Sequence, residues 1–133
     1  MKKIIVLLLV LLPLFASAAD DKWVLISPPE MVSEYAVFVN EKIVSKADGY
    51  KVWVRWFFYS QLAKEHYNTT AYVNQELYEI TPDLEQLRIL TFHSSDISGK
   101  PLDFSASPSD WVYPSPDSMH EAVIKEVKRI LKK

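Results

Sequence analysis

The stretch YKVWVRWFFY, Tyr50 to Tyr59, decides the fold. It holds two Trp, two Phe, two Tyr and two Val, and only its Lys and its Arg are charged. Aromatic and β-branched residues favour a pleated, packed surface. The stretch therefore predicts the central strand of a β-sheet.

Successive side chains of a strand point to opposite faces of its sheet, and the two faces of this strand differ. One face, called here the core face, is uniformly apolar and carries Val52, Val54, Trp56 and Phe58. The other, called here the aromatic face, alternates rings with cations and carries Lys51, Trp53, Arg55, Phe57 and Tyr59. The pattern predicts that the core face packs inside the domain. The aromatic face is then either covered by another segment or in contact with a partner.

Residues 1–19 have the pattern of a secretory signal peptide. Lys2 and Lys3 precede an apolar run from Ile4 to Phe15, and small residues suited to cleavage follow at Ala16 to Ala18. The run is shorter than the roughly 20 apolar residues that a spanning helix needs, and an uncleaved anchor is the alternative. Residues 20–133 are then a single exported domain with no transmembrane segment, located in the periplasm, at the cell surface or in the medium.

Composition narrows the class of protein. Residues 20–133 hold 13 basic and 17 acidic residues, a net charge of −4, which argues against nucleic acid as a partner because duplex binding needs a basic face. The chain has no cysteine, so neither a disulfide nor a lipoprotein anchor can form. Packing alone must hold the domain together.

Five further segments have the alternation or composition of strands. They are Lys22 to Ser27, Ser33 to Asn40, Ala71 to Ile80, Leu84 to Ser94 and Leu102 to Ser105. Asp48-Gly49 predicts the hairpin turn before the central strand. In the segment Leu84 to Ser94, strict alternation would set Leu87 and Ile89 opposite to Phe92.

The last segment predicts an amphipathic helix. Ser115 is expected to cap it, Pro116 to occupy its first position and Asp117 to lie in its first turn. Apolar residues then recur with helical spacing at Met119, Ala122, Val123, Val127, Ile130 and Leu131. About six antiparallel strands followed by one helix predict an α+β fold, with the helix packed on the core face. Trp111 is expected to plug one end of the core.

Catalytic, metal and cofactor sites are not predicted. His66, His93 and His120 are too far apart in sequence for metal-ligand spacing, and two glycines cannot form a glycine-rich phosphate loop. Glu76 and Glu79 are read as solvated charges. We therefore expect a protein that is not an enzyme.

The aromatic face is the candidate binding surface, formed by Trp53, Arg55, Phe57 and Tyr59. Rigid rings beside cations are enriched at the energetic centres of protein interfaces. The alternative is that neighbouring strands, or the connection Gln61 to Asn68, fold over this face and bury it.

The order of motifs resembles that of the bacterial surface-adhesin protein E family over nearly all of residues 20–133. A Trp near the start of that region, the Lys51 to Trp56 strand, a Leu-Tyr-Glu-Ile strand and a Leu-Arg-Ile-Leu strand lead to Gly99 and a Trp-x-x-Pro-x-Pro-x-Ser approach to the helix. These elements are Trp23, Leu77 to Ile80, Leu87 to Leu90 and Trp111 to Ser118. The chain lacks the cysteine pair and the acylated cysteine that the family commonly carries.

The resemblance implies an exported domain with an antiparallel sheet and a carboxyl-terminal helix. It also implies adhesion to host matrix or serum proteins, with a homodimer among the expected arrangements. Two functions follow: an adhesin-like module that contacts another protein at the cell envelope, and a soluble periplasmic accessory domain that binds a small apolar ligand or stabilises an envelope complex.

Overall fold

The computed structural model describes residues 22–132. The predicted signal peptide and the predicted start of the domain at residue 20 lie outside the described residues. None of the described helices is long and apolar enough to cross a membrane.

A single antiparallel sheet and two α-helices form the described chain. The strands are β1 Trp23–Leu25, β2 Tyr35–Asn40, β3 Val44–Lys46, β4 Gly49–Phe58, β5 Val73–Ile80, β6 Leu87–Ser95 and β7 Pro101–Ser105. The helices are α1 Gln61–His66 and α2 Met119–Leu131, and a 3-10 turn spans Pro29–Met31. The sheet runs in the order β1-β2-β4-β5-β6-β7, and β3 pairs with the start of β4. The predicted α+β fold is confirmed.

Strand β4 is the longest and lies between β2 and β5. Its predicted alternation is also confirmed, since Val52 and Val54 are fully buried while Trp53 and Phe57 are only half-buried. Pairing with β2 adds further residues to both faces of the sheet. Val39 lies beside Val54 on the core face, and Phe38 lies beside Arg55 on the aromatic face.

Helix α2 covers the core face. Its Val123 and Val127 are fully buried and belong to the same cluster as the valines of β2 and β4, Val37, Val39, Val52 and Val54. Burying a large apolar side chain stabilises a fold by about 1.5–3 kcal/mol, so this contact is a main source of stability. The predicted docking of the helix is confirmed.

The beginning of α2 differs from the prediction. Ser118, not Ser115, is the cap, and its hydroxyl accepts a hydrogen bond of 3.2 Å from the Glu121 amide. The Glu121 carboxylate accepts one in return from the Asp117 amide. Asp117 has a φ of 62°, which is left-handed backbone and cannot continue a helix. The Ser118 cap and the left-handed conformation of Asp117 therefore place the helix start three residues later than predicted.

The turn before β4 also differs in detail. Lys46 pairs with Gly49, so the turn residues are Ala47 and Asp48, and Gly49 is already part of the strand. Glycine is required there for close approach, because a Cβ atom on Gly49 would lie 2.2 Å from the Ile80 carbonyl oxygen. Its φ of +136° is also rarely adopted by other residues.

Strand β6 does not alternate strictly. Its register with β5 shifts between Leu77 and Tyr78, so that Ile89 lies beside Tyr78 but Thr91 lies beside Leu77. This bulge places Phe92 on the same face as Ile89, where strict alternation predicted the opposite face. One extra residue in a strand moves the side chains beyond it to the opposite face of the sheet.

Trp111 does not plug the core. It is 37% exposed, and its ring lies under the Arg88 guanidinium, with 4.5 Å between the Arg88 Cζ atom and the ring centroid. Arg88 lies on the aromatic face, because its strand neighbour Leu87 is in the core. Trp111 is thus bound to the aromatic face through a cation–π contact.

Replacing Val127 with Asp tests the docking of α2. The charge would enter a fully buried site, so the free energy of unfolding should fall by at least about 4 kcal/mol or the domain should fail to fold. Lys128→Asp is the matched control, since it places the same residue at an exposed neighbouring position and should cost less than about 1 kcal/mol. Chemical denaturation measures both; equal stability of the two variants would show that α2 is not docked.

Candidate functional site

The aromatic face is built by strand pairing rather than by any loop. Residues 53, 55 and 57 of β4 project from it because they alternate with the buried core positions. Tyr59 follows the end of β4 and stacks on Phe57, with ring centroids 5.8 Å apart and an angle of 13° between the rings. All four predicted site residues therefore lie on one side of the sheet.

Phe57 is the centre of an aromatic cluster. Phe38 of β2 contacts it edge-on at 5.9 Å between ring centroids, and Tyr72 contacts it edge-on at 6.1 Å. Tyr59 and Tyr72 also contact each other at 5.7 Å. Such pairs contribute about 0.5–1.5 kcal/mol each beyond the area they bury, so the rings are held in place without a covering layer.

Arg55 lies over the ring of a tryptophan. Its Cζ atom lies 4.0 Å from the centroid of the Trp23 ring, which β1 brings to this face through its pairing with β2. A guanidinium over an indole is a favourable cation–π arrangement. The cation that alternates with the rings in the sequence is thus part of the aromatic surface itself.

A second arginine–tryptophan pair lies at another part of this face. Arg88 stacks on Trp111, and its Nε and Nη2 atoms each lie 2.7 Å from Oε1 of Glu79. Glu79 is only 8% exposed, so its charge is neutralised by Arg88 rather than by water. The expectation that Glu79 is solvated is wrong, because its charge-assisted hydrogen-bond partner Arg88 comes from a neighbouring strand that the local sequence does not show.

The side chains of the aromatic face differ in how far they are exposed to solvent. Trp53, Arg55 and Phe57 are half-buried, and Tyr59 is 41% exposed. Burial and the neighbouring Tyr72 raise the pKa of Tyr59, so its hydroxyl stays protonated near neutral pH. At the edge strand β7, Phe104 is 66% exposed and contacts the His93 ring at 4.8 Å.

The connection Gln61 to Asn68 does not cover this face. It forms α1, capped by Ser60, whose hydroxyl accepts a 3.0 Å hydrogen bond from the Ala63 amide. Tyr67, which follows α1, packs against Trp56 and Phe58 at 5.4 and 5.5 Å, and both of those rings belong to the core face. Within residues 22–132, the reading in which this connection buries the aromatic face is therefore wrong. The neighbouring strands β1 and β2, in contrast, do bury Arg55 and Phe57 in part.

A buried polar cluster, which the sequence patterns did not predict, lies on the core face. Glu76 is only 9% exposed, and the Tyr78 hydroxyl donates a 3.1 Å hydrogen bond to its Oε1 atom. Burial raises the pKa of Glu76 to about 7, against the smaller opposing effects of that hydrogen bond and of the Trp56 indole. The expectation that Glu76 is solvated is wrong as well. Glu76 lies on the same face of β5 as Tyr78 and Ile80, and this alternation could have predicted its burial.

Two further buried atoms belong to the same region. The Trp56 Nε1 atom comes near enough to lower the Glu76 pKa but makes no hydrogen bond of normal geometry, and Asn74 Oδ1 has no partner among residues 22–132. His120 of α2 contacts the Tyr78 ring edge-on at 5.7 Å, and burial lowers its pKa. The cluster is an internal polar layer beneath the helix rather than an open site.

The three histidines do not converge in the described chain. His66 contacts Tyr67, His93 contacts Phe104 and His120 contacts Tyr78, each in a different part of the fold. Among residues 22–132, no group of three or more His, Cys, Asp or Glu residues is placed to hold a metal ion.

Comparison of the chain with protein-family models, with curated proteins and with solved structures finds no match.

The pH dependence of stability tests the burial of Glu76. Its pKa rises from an ordinary 4.5 to about 7 on folding, so the folded chain binds this proton more tightly than the unfolded chain does. The stabilising contribution is complete below about pH 4.5 and is lost as pH rises through about 7. Between about pH 5 and pH 8 the loss should be on the order of 2–3 kcal/mol, and Glu76→Gln should remove it.

Chemical denaturation of the parent, Glu76→Gln and the exposed control Glu85→Gln at the two pH values measures this contribution. The comparison between variants is needed because the lowered pKa of His120 acts in the opposite direction, with stability lost as pH falls. A Glu76→Gln variant with the same pH dependence as the parent and the control would contradict the assignment.

Proposed function

We propose that this chain is an exported, non-enzymatic binding module that contacts another protein at the cell envelope through its aromatic face. The observation that carries the proposal is the cluster of Trp53, Arg55, Phe57 and Tyr59, which lies on the side of the sheet opposite to α2 and remains partly exposed. The resemblance to surface-adhesin protein E, drawn from the order of motifs, supports the same class of function.

The physical argument concerns the cost of exposed rings. Monomeric soluble proteins rarely leave large contiguous apolar patches in water, and such patches mark protein or ligand contacts. The rings here extend across the sheet from Trp23 of β1 to Phe104 of β7. They are held by mutual contacts, so a partner would meet a rigid surface and lose little side-chain entropy on binding.

The chemistry of the partner follows from this surface. A broad face with rings at the centre and guanidinium groups at Arg55 and Arg88 fits a protein surface with an apolar centre. Either a host or envelope protein or a second copy of the chain satisfies that description. Export and location at the envelope rest on the signal-peptide pattern of residues 1–19.

A separate observation favours a second candidate, the periplasmic accessory domain that binds a small ligand. A cleft of about 600 Å³ lies between the 3-10 turn and α1, lined by Tyr35 and Tyr67. Its volume is within the range of about 300–1,000 Å³ typical of small-molecule sites. Tyr35 and Tyr67 pack with the core face, so the cleft and the aromatic face lie on opposite sides of the sheet.

Site-specific photocrosslinking in producing cells tests the first candidate. A benzoyl-phenylalanine at position 57 should yield a discrete adduct, with a second copy or with one other protein, because the ring there faces the proposed interface. The same residue at position 113 is the matched control, since Tyr113 is 69% exposed but lies beside Glu121 and Lys125 of α2. Only position 57 should crosslink.

Adding Trp53→Ala to the crosslinking variant should reduce the adduct about tenfold or more, as expected for an interface anchor. Thermal melting of the same variants shows whether the domain still folds. Folded variants that give no adduct at position 57, or equal adducts at positions 57 and 113, would contradict the proposal.

A further inference from the structure

The cleft beside α1 has a chemical character that identifies a class of ligand. Its floor consists of Tyr35 and Tyr67, whose rings meet edge-on with centroids 5.4 Å apart. Met31 and Leu62 form apolar walls of the cleft. Leu62, which lies on the mostly polar helix α1, is 70% exposed. The cleft therefore offers rings at the bottom and aliphatic surface at the side.

Two carboxylates line the same cleft. Glu30 belongs to the 3-10 turn, and Glu34 lies just before β2. Within residues 22–132, neither carboxylate forms an ion pair with a Lys or Arg. His66 is the only other titratable side chain of the cleft besides the tyrosines, and no Lys or Arg of the described chain lines it, so acidic side chains predominate in the lining.

Glu34 is held in place by its surroundings. The Ser60 hydroxyl donates a hydrogen bond to its carboxylate, and the Tyr59 and Ser60 amides donate to its carbonyl oxygen at 2.9 and 3.2 Å. Its own amide donates to the Met31 carbonyl oxygen at 2.9 Å, which joins it to the 3-10 turn. The negative charge is thus fixed at the cleft rather than carried on a free side chain.

The Tyr67 ring is fixed and neutral. It is packed between Tyr35, Trp56 and Phe58 at 5.4 to 5.5 Å. Burial and the adjacent Tyr35 hydroxyl raise the pKa of Tyr67 to about 12, so it presents an un-ionised π face. Electron-rich rings beside carboxylates are the composition that binds organic ammonium ions.

We infer that the cleft between the 3-10 turn and α1 binds a small cationic amphipathic ligand, an alkylammonium whose head lies by Tyr35, Tyr67 and Glu34 and whose chain lies along Met31 and Leu62. The inference rests on the second candidate function and replaces its neutral apolar ligand by a charged one. An anion is disfavoured by the two carboxylates, and a neutral chain would leave them unused.

Three probes of similar length separate these classes: hexyltrimethylammonium, 1-hexanol and hexanoate. Each is titrated into the mature protein, and NMR follows the methyl groups of Met31 and Leu62 together with the rings of Tyr35 and Tyr67. The ammonium should bind saturably and about tenfold or more tightly than the alcohol, and hexanoate should bind most weakly.

Charge-removing variants locate the effect. Glu34→Gln keeps a hydrogen-bond acceptor for Ser60 and should weaken ammonium binding by about fivefold, and Glu30→Gln should weaken it less because Glu30 is more exposed. Glu65→Gln is the matched control: it removes the same charge from α1 at a position that does not line this cleft, and should change affinity by less than about twofold.

Each other outcome overturns a defined part of the account. Equal binding of hexanol and the ammonium, or no response to Glu34→Gln and Glu30→Gln, overturns the inference and leaves a neutral-ligand function standing. Absence of binding by all three probes to the folded protein overturns both the inference and the second candidate function. The crosslinking test of the aromatic face is independent of these results.

Discussion

The contact between α2 and the valines of β2 and β4 is the interaction on which the rest of the structure depends. Val123 and Val127 enter a floor of fully buried valines, and no cysteine is available to attach the helix covalently. A disulfide typically contributes about 2–4 kcal/mol, so here apolar burial must supply what a crosslink would otherwise give. The helix consequently occupies one side of the sheet and leaves the other side to the aromatic residues.

This division separates the two surfaces that could bind. On the aromatic face, rings hold each other by stacking and edge contacts around Phe57, and Arg55 lies on Trp23. On the opposite side of the sheet, Tyr67 packs against Trp56 at the edge of the core. Tyr67 also lines the cleft, together with Glu34. Variants of one surface should therefore leave the other intact, because the sheet and its buried core lie between them.

The sequence predicts structure well wherever a pattern of apolar residues repeats over a long segment without interruption. Ten residues of strict alternation identified β4 and both of its faces, and a stripe of helical spacing identified α2 and its buried side. The four predicted site residues could be grouped for the same reason. The cavity and the rings contributed by β1 and β2 could not, because they depend on which strands become neighbours.

The errors have specific physical causes. The β6 bulge inserts one residue and reverses the face of Phe92, and the αL conformation of Asp117 moves the start of α2. Glu76 and Glu79 are acidic residues, which usually lie at the surface. Glu76 is buried because it alternates onto the core face of β5, and Glu79 is buried in an ion pair with Arg88. Non-local partners and single-residue irregularities are the features that local patterns do not contain.

Hydroxyl-radical footprinting of a dilute solution of residues 20–133, read by mass spectrometry, tests the central claim most directly. The account predicts that Trp53, Phe57 and Tyr59 are modified several-fold faster than Phe58 and Tyr78, which are almost completely buried on the helix side. Protection of Trp53 and Phe57 equal to that of Tyr78 in the dilute monomer would show that the second side of the sheet is closed, and would contradict the account.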